Sequence, residues 1–105
     1  MAQGLKVAVV GATGMVGAEM LRVLEQRRFP VAELVPVASA RSAGKTVTFQ
    51  GTQHTVVEIA PEVFEGVDLA LFSAGGGTSR QWAPIAASKG ALVVDNSSAF
   101  RADPE

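Results

Sequence analysis

The sequence predicts an α/β fold: an open, doubly wound, mainly parallel sheet with an inserted hairpin. Three observations predict it. Leu5–Val10 is a short, nearly continuous apolar run, the pattern of a strand covered on both faces. Val67–Phe72 and Ala91–Asp95 repeat that pattern. Stretches with helical spacing follow the first and second of these runs, and strands alternating with helices build parallel sheets.

The first strand ends at Gly11. From Met15 to Arg27 the period becomes helical, with Val16, Met20, Val23 and Leu24 on one face and Glu19, Arg22, Glu25 and Gln26 on the other. Pro30 stops this helix, because it lacks an N–H and disfavours helical backbone at Phe29. Glu33–Ala38 reads as the second strand. Pro36 inside it removes one ladder donor, so pairing there is expected to be interrupted or one-sided. Lys45–Gln50, with Val47 and Phe49 on one face, and His54–Ile59 alternate around Gly51-Thr52. That is a hairpin where a plain alternation would place a helix. Pro61–Glu65 suits one helical turn. A second helix is expected from a Thr78 or Ser79 cap to Lys89, with Gly90 as its C-cap and Pro84 either kinking it or near its first turn. Asn96–Arg101 reads as a polar loop.

The 105 residues suit one globular domain, 1–105, with 48% hydrophobic residues and a net charge of -1. Lys and Arg are scattered, and the only adjacent pair, Arg27-Arg28, suits a solvated helix end, so neither nucleic acid nor an anionic membrane is an expected partner. No stretch approaches the roughly 18 unbroken apolar residues of a membrane span. Residues 1–6 lead into a strand without the pattern of a secretory signal, and a cytoplasmic location is expected. Cysteine is absent, so there is no disulfide, thiolate metal site or thiol nucleophile. The lone His54 is expected to be exposed. Trp82 and Ile85 have the spacing of core or interface residues. No catalytic or metal-binding residue is assigned.

Chemistry concentrates in the loops after strands. Residues 11–17 read GxxGxxG. Gly11 turns the chain off the strand, Gly14 lets backbone approach a pyrophosphate, and Gly17 lets the helix pack on the strand. The helix N-terminus supplies free N–H groups and partial positive charge. Thr13, Met15 and Val16 would offer backbone N–H groups, and Thr13 also a hydroxyl. A strand before and an amphipathic helix after supply the context this motif requires, a Rossmann-like nucleotide site. Sites selective for NAD place a carboxylate at the end of the second strand. Here the sequence is Ala38-Ser39-Ala40-Arg41-Ser42, with no carboxylate. Arg41 and Ser42, with Ser39 beside them, suit the 2′-phosphate of NADP, although a solvated turn would read the same way. Residues 73–77, including Ala74 and Gly75, follow a strand at the same sheet edge and suit either the cofactor or a flexible connection. Asp95 and Asn96 suit loop orientation, and Arg101 suits an anion or an ordinary surface position.

Taken together, GATGMVG, ASARSAGK, LFSAGGGTS and VVDNSSAFR, in this order, closely resemble the aspartate-β-semialdehyde dehydrogenase family across essentially the whole chain. Asn96 and the SAGGG loop resemble it more than its relative, N-acetyl-γ-glutamyl-phosphate reductase. The resemblance implies NADPH-dependent reduction of L-aspartyl-4-phosphate to the semialdehyde with release of phosphate. That step feeds synthesis of lysine, threonine, methionine, isoleucine and diaminopimelate. It implies NADP on Thr13–Val16 and Arg41–Ser42, substrate phosphate on Arg101 with Asn96 beside it, and homo-oligomers at full length. Family members use a cysteine and a histidine that have no counterpart here, so the chain resembles the N-terminal cofactor-binding portion. Alone it is expected to be inactive and to expose an apolar edge. Two other readings stand beside this one. An extended short-chain dehydrogenase can start GATGxxG, but its Tyr-x-x-x-Lys pair is missing here. A non-catalytic nucleotide-binding module also fits a chain with a binding site and no reactive group.

Overall fold

The computed structural model describes residues 4–73 and 76–95. Its first unit is β1 (Leu5–Val10), α1 (Met15–Gln26) and β2 (Val31–Ala38). A hairpin of β3 (Thr46–Phe49) and β4 (Thr52–Thr55) follows, then a two-residue strand β5 (Val57–Glu58) and a 3-10 turn at Pro61–Phe64. The last unit is β6 (Leu69–Phe72), α2 (Gly76–Ser88) and β7 (Leu92–Asp95). Five strands form one parallel sheet in the order β5-β2-β1-β6-β7, and β3-β4 pair separately and antiparallel.

Alternation along β1 divides the core. Val7 and Val9 meet Met20, Leu21 and Leu24 of α1 and Phe49 of the hairpin. Ala8 and Val10 face the other way, toward Phe64, Phe72 and Ala86. The sheet is therefore wound on both sides, as expected from its unbroken apolar strands. Phe64 and Phe72 are fully buried, each worth about 1.5–3 kcal/mol of apolar transfer.

Several boundaries differ from the sequence reading, each for a local reason. The helix α1 ends before Pro30 acts. Arg28 adopts φ 53°, its N–H donates to Glu25 O, and the Phe29 N–H donates to Leu24 O, a Schellman ending with arginine in glycine's usual place. β2 then starts at Val31, not Glu33, because the Pro30 carbonyl already accepts from the Leu5 N–H. Pro36 is accommodated as expected. The Val37 carbonyl points to β1, where it accepts from Gly11, so Pro36's missing donor faces the opposite side. There β5 pairs only from Val37 onward.

The hairpin turns at Gln50-Gly51, both with positive φ, so Thr52 belongs to β4 and pairs with Phe49. The run His54–Ile59 is two strands. Fully buried Val56 bonds Gly44 and Lys45 through its carbonyl and N–H, and the chain then switches to the edge of the main sheet beside β2. His54 is half-buried, its ring edge-on to Phe49 at 6.3 Å, and not exposed as expected. Pro84 lies inside α2, beyond its first turn, and α2 starts at Gly76, earlier than a Thr78 or Ser79 cap would allow. Gly90, at φ 98°, ends it with the Gly90→Ala87 and Ala91→Ala86 bonds of a second Schellman motif. Among the described residues β5 and β7 are the two edges of the sheet, and on β7 Leu92 is 67% exposed.

Candidate functional site

The sheet order reverses between β1 and β6. The chain leaves β1 toward β2 on one side and later returns to β6 on the other, so the loops after β1 and β6 diverge and leave a crevice at the strand ends. Ser73 holds its floor together. Its N–H and its hydroxyl both donate to Val10 O at 2.9 Å, and the hydroxyl lies 3.4 Å from Gly11 O.

A cleft of about 460 Å³ opens here, within the size range of small-molecule sites. Val10, Gly11, Thr13, Gly14, Ala38, Ser39, Ser42, Ile59, Ser73 and Trp82 form its walls.

The three glycines of the opening turn have different physical reasons. Gly11 has φ 90°, a backbone region that favours glycine. At Gly17 a Cβ would lie 2.1 Å from Gly11 O and 2.8 Å from Ala12 Cα, so only glycine lets α1 sit this close to β1. Gly14 is different. Its backbone is extended, and a Cβ would meet only Gly11 O, at 3.6 Å. The fold tolerates a side chain at Gly14, which lines the cleft. That is the fit an approaching diphosphate requires.

The N-terminus of α1 supports the same fit. Gly14 caps it with no side-chain hydrogen bond, and its first turn has no acidic residue. Among the described residues no acceptor meets the N–H groups of Thr13, Met15 and Val16. Donors and helix dipole there are free for an anion.

Of the residues singled out in the sequence, the cleft brings together Gly11, Thr13, Gly14, Ser39 and Ser42. Met15 and Val16 occupy the first turn of α1, and the Met15 side chain is 89% exposed, leaving its main chain as the relevant group. Arg41 is exposed at the middle of the turn between Ser39 and Ser42. It is not part of the cleft wall and forms no ion pair among the described residues. That turn is closed by the Ser42 and Ala43 N–H groups on Ser39 O. Ala74, Gly75, Asn96 and Arg101 lie outside the described residues.

Five wall residues were not singled out as site residues in the sequence: Val10 and Ala38, which read as strand ends, and Ile59, Ser73 and Trp82. Ser73 carried a weak signal as the first residue after a strand. Ile59 and Trp82 read as apolar packing, and nothing in their spacing distinguishes a cleft wall from a core.

Residues 6–105 match the family described as Semialdehyde dehydrogenase, NAD binding domain. The aspartate-semialdehyde dehydrogenase of Aquifex aeolicus is 57% identical over 103 residues, covering 97% of this chain and 30% of that protein. The enzyme of the same name from Bacillus subtilis is 57% identical over 98% of this chain and 30% of its own length. Among solved structures, aspartate semialdehyde dehydrogenase II from Vibrio cholerae complexed with ASA superposes with a TM-score of 0.88 at 51% identity. It covers 96% of this chain and 33% of that one. The chain thus spans about 30% of the length of the curated relatives it matches. With a doubly wound parallel sheet, a glycine turn shaped for a diphosphate and this match over nearly all its residues, the chain belongs to the semialdehyde dehydrogenase NAD-binding domain family.

Proposed function

We propose that this chain is the NADP-binding part of a cytoplasmic aspartate-semialdehyde dehydrogenase acting on L-aspartyl-4-phosphate. The observation that carries the reading is the cleft at the switch point, with uncapped N–H groups at one end and the Ser39–Ser42 turn at the other. The Thr13, Met15 and Val16 N–H groups hold the pyrophosphate, helped by the positive end of α1. Ser39 and Ser42 take the ribose and its 2′-phosphate, and Arg41, unpaired among the described residues, swings onto that phosphate from the rim. Ala74 and Gly75 border the nicotinamide half. When bound, the reduced nicotinamide supplies the hydride that converts an acyl phosphate to an aldehyde. Arg101, with Asn96, binds the phosphate of that substrate. The chain has no cysteine, so it forms no thioester and turns over no substrate by itself. The full-length protein is a homo-oligomer.

Amide shift mapping tests this reading. Titration with NADP moves the Thr13, Met15, Val16 and Ser42 amides first. Saturation with those amides unmoved overturns it.

A further inference from the structure

Among the described residues two large apolar side chains stand exposed, Leu92 and Met15. Leu92 belongs to β7, an edge strand of the sheet. Met15 belongs to no such edge. It is the first residue of α1, directly after the cleft-lining Gly14, and is 89% exposed. Further along the same helix, Met20 is 4% exposed and packed in the core. One thioether of this helix is therefore sealed from solvent and the other is presented to it. The presented one stands at the uncapped end, beside N–H groups of Thr13, Met15 and Val16 that no described residue accepts from.

We infer that Met15 is an oxidation site through which peroxide weakens dinucleotide binding. The inference rests on the cofactor reading above and adds a control to that site. Hydrogen peroxide reacts at the sulfur: the O–O bond breaks, one oxygen bonds to sulfur, and the other leaves as water. Sulfur is oxidised by two electrons and the peroxide is reduced by two. Access to the sulfur sets the rate, so Met15 reacts well before Met20. The product replaces an apolar chain end with a polar S=O group, a strong hydrogen-bond acceptor. Long side chains on a helix lie over the turn N-terminal to their own Cα, which for Met15 is the glycine turn itself. The new oxygen stands as many bonds from Cα as a glutamate carboxylate oxygen does, and glutamate in a first turn reaches back to open N–H groups. The first turn of α1 has no acidic residue to take that place. The sulfoxide caps N–H groups that the diphosphate otherwise takes, and the nucleotide has to displace it. The reduced thioether is only a weak acceptor and leaves them open. Met15 lies outside both core clusters, so its oxidation spares the packing that oxidation of Met20 would break.

Limited peroxide treatment of the 105-residue chain, followed by peptide mass mapping, finds one added oxygen on Met15 while Met20 is still reduced. Calorimetry then gives an NADP affinity about fivefold weaker than before treatment, the worth of one hydrogen bond, with Tm unchanged. Methionine sulfoxide reductases restore it. Met15→Leu has no sulfur at this position, so peroxide leaves its affinity at whatever value it had. Met15→Gln carries an amide oxygen where the sulfoxide would have its own. It binds NADP about fivefold more weakly than Met15→Leu and is equally insensitive to peroxide. Full oxidation of Met15 with unchanged affinity overturns this inference and leaves the cofactor reading standing. Equal reaction of Met15 and Met20 does the same. So does a loss on treating Met15→Leu as large as in the parent, since that protein retains Met1 and Met20. No binding of NADP by the untreated chain removes both.

Discussion

Gly17→Ala separates what the glycine turn does for the fold from what it does for a ligand. An alanine Cβ there would lie 2.1 Å from Gly11 O, 2.8 Å from Ala12 Cα and 2.9 Å from Gly11 C. All three are backbone atoms, so no rotamer change relieves the overlap, and α1 must move off β1 by roughly 1 Å to restore contact distance. Such a shift opens the packing of Met20, Leu21 and Leu24, which are 4%, 6% and 8% exposed. Overpacking of this kind costs typically 1–3 kcal/mol, at the upper end where backbone must yield. Alanine's better helix propensity returns about 1 kcal/mol. The expected net loss is about 2 kcal/mol, a large part of the 5–15 kcal/mol that holds a small domain together. Gly14→Ala is the paired control. Its Cβ meets nothing closer than 3.6 Å, and its φ of -83° suits alanine. Alanine is a poorer N-cap than glycine, but it lowers the entropy of the unfolded chain by a similar amount. Stability should change by less than about 0.5 kcal/mol, while affinity for NADP falls about tenfold because the Cβ fills the phosphate approach. Urea unfolding gives the first quantity and calorimetric titration the second. A Gly17→Ala protein as stable as the parent, or a Gly14→Ala protein that unfolds more easily than Gly17→Ala, would refute the reasoning.

Arg41→Ala should weaken NADP about ten- to a hundredfold and leave NAD unaffected, from the loss of one charge-assisted contact of about 1.5–3 kcal/mol. Equal losses for both cofactors remove the assignment. Arg28→Gly relieves a left-handed backbone that costs an arginine about 1–2 kcal/mol, part of which glycine's greater unfolded freedom cancels. A gain of about 0.5–1 kcal/mol is expected on thermal unfolding, and a lowered Tm contradicts it. Ser73→Ala removes the hydroxyl bond between the two loops but leaves Val10 O satisfied by the Ser73 N–H, so the loss should be about 0.5–1 kcal/mol. A loss above about 3 kcal/mol would mean that Ser73 carries more than this tie.

Much of the architecture was legible because it follows from local rules. Unbroken apolar runs mark strands covered on both faces, and those at residues 5–10, 69–72 and 92–95 form where the pattern placed them or within two residues of it. Gly17 was readable as a packing glycine and Gly14 as an approach glycine, since their places in GxxGxxG imply those roles. Period-two alternation says which face a residue takes and nothing about which strand it pairs with. Residues 54–59 therefore read as one strand, although the hairpin takes one half and the main sheet the other. Arg28 gave no signal of a helix ending, because arginine is poorly suited to the left-handed region it occupies there. The start of α2 was hidden for the converse reason: glycines have low helix propensity, yet Gly76 begins the helix.

From residue order alone came the strand–glycine–helix unit, the absence of a thiol and the lack of a carboxylate after β2. Each is a property of neighbours in the chain and needs no fold to be read. Tertiary structure alone decided which side chains share the cleft. Ser73 reaches Val10, 63 residues away, and Trp82 is brought to the same cleft as Ser42 only because α2 packs on the opposite face of the sheet from α1. Such meetings depend on sheet order and crossover side, set by the burial of two apolar faces at once, and one-dimensional spacing does not encode them.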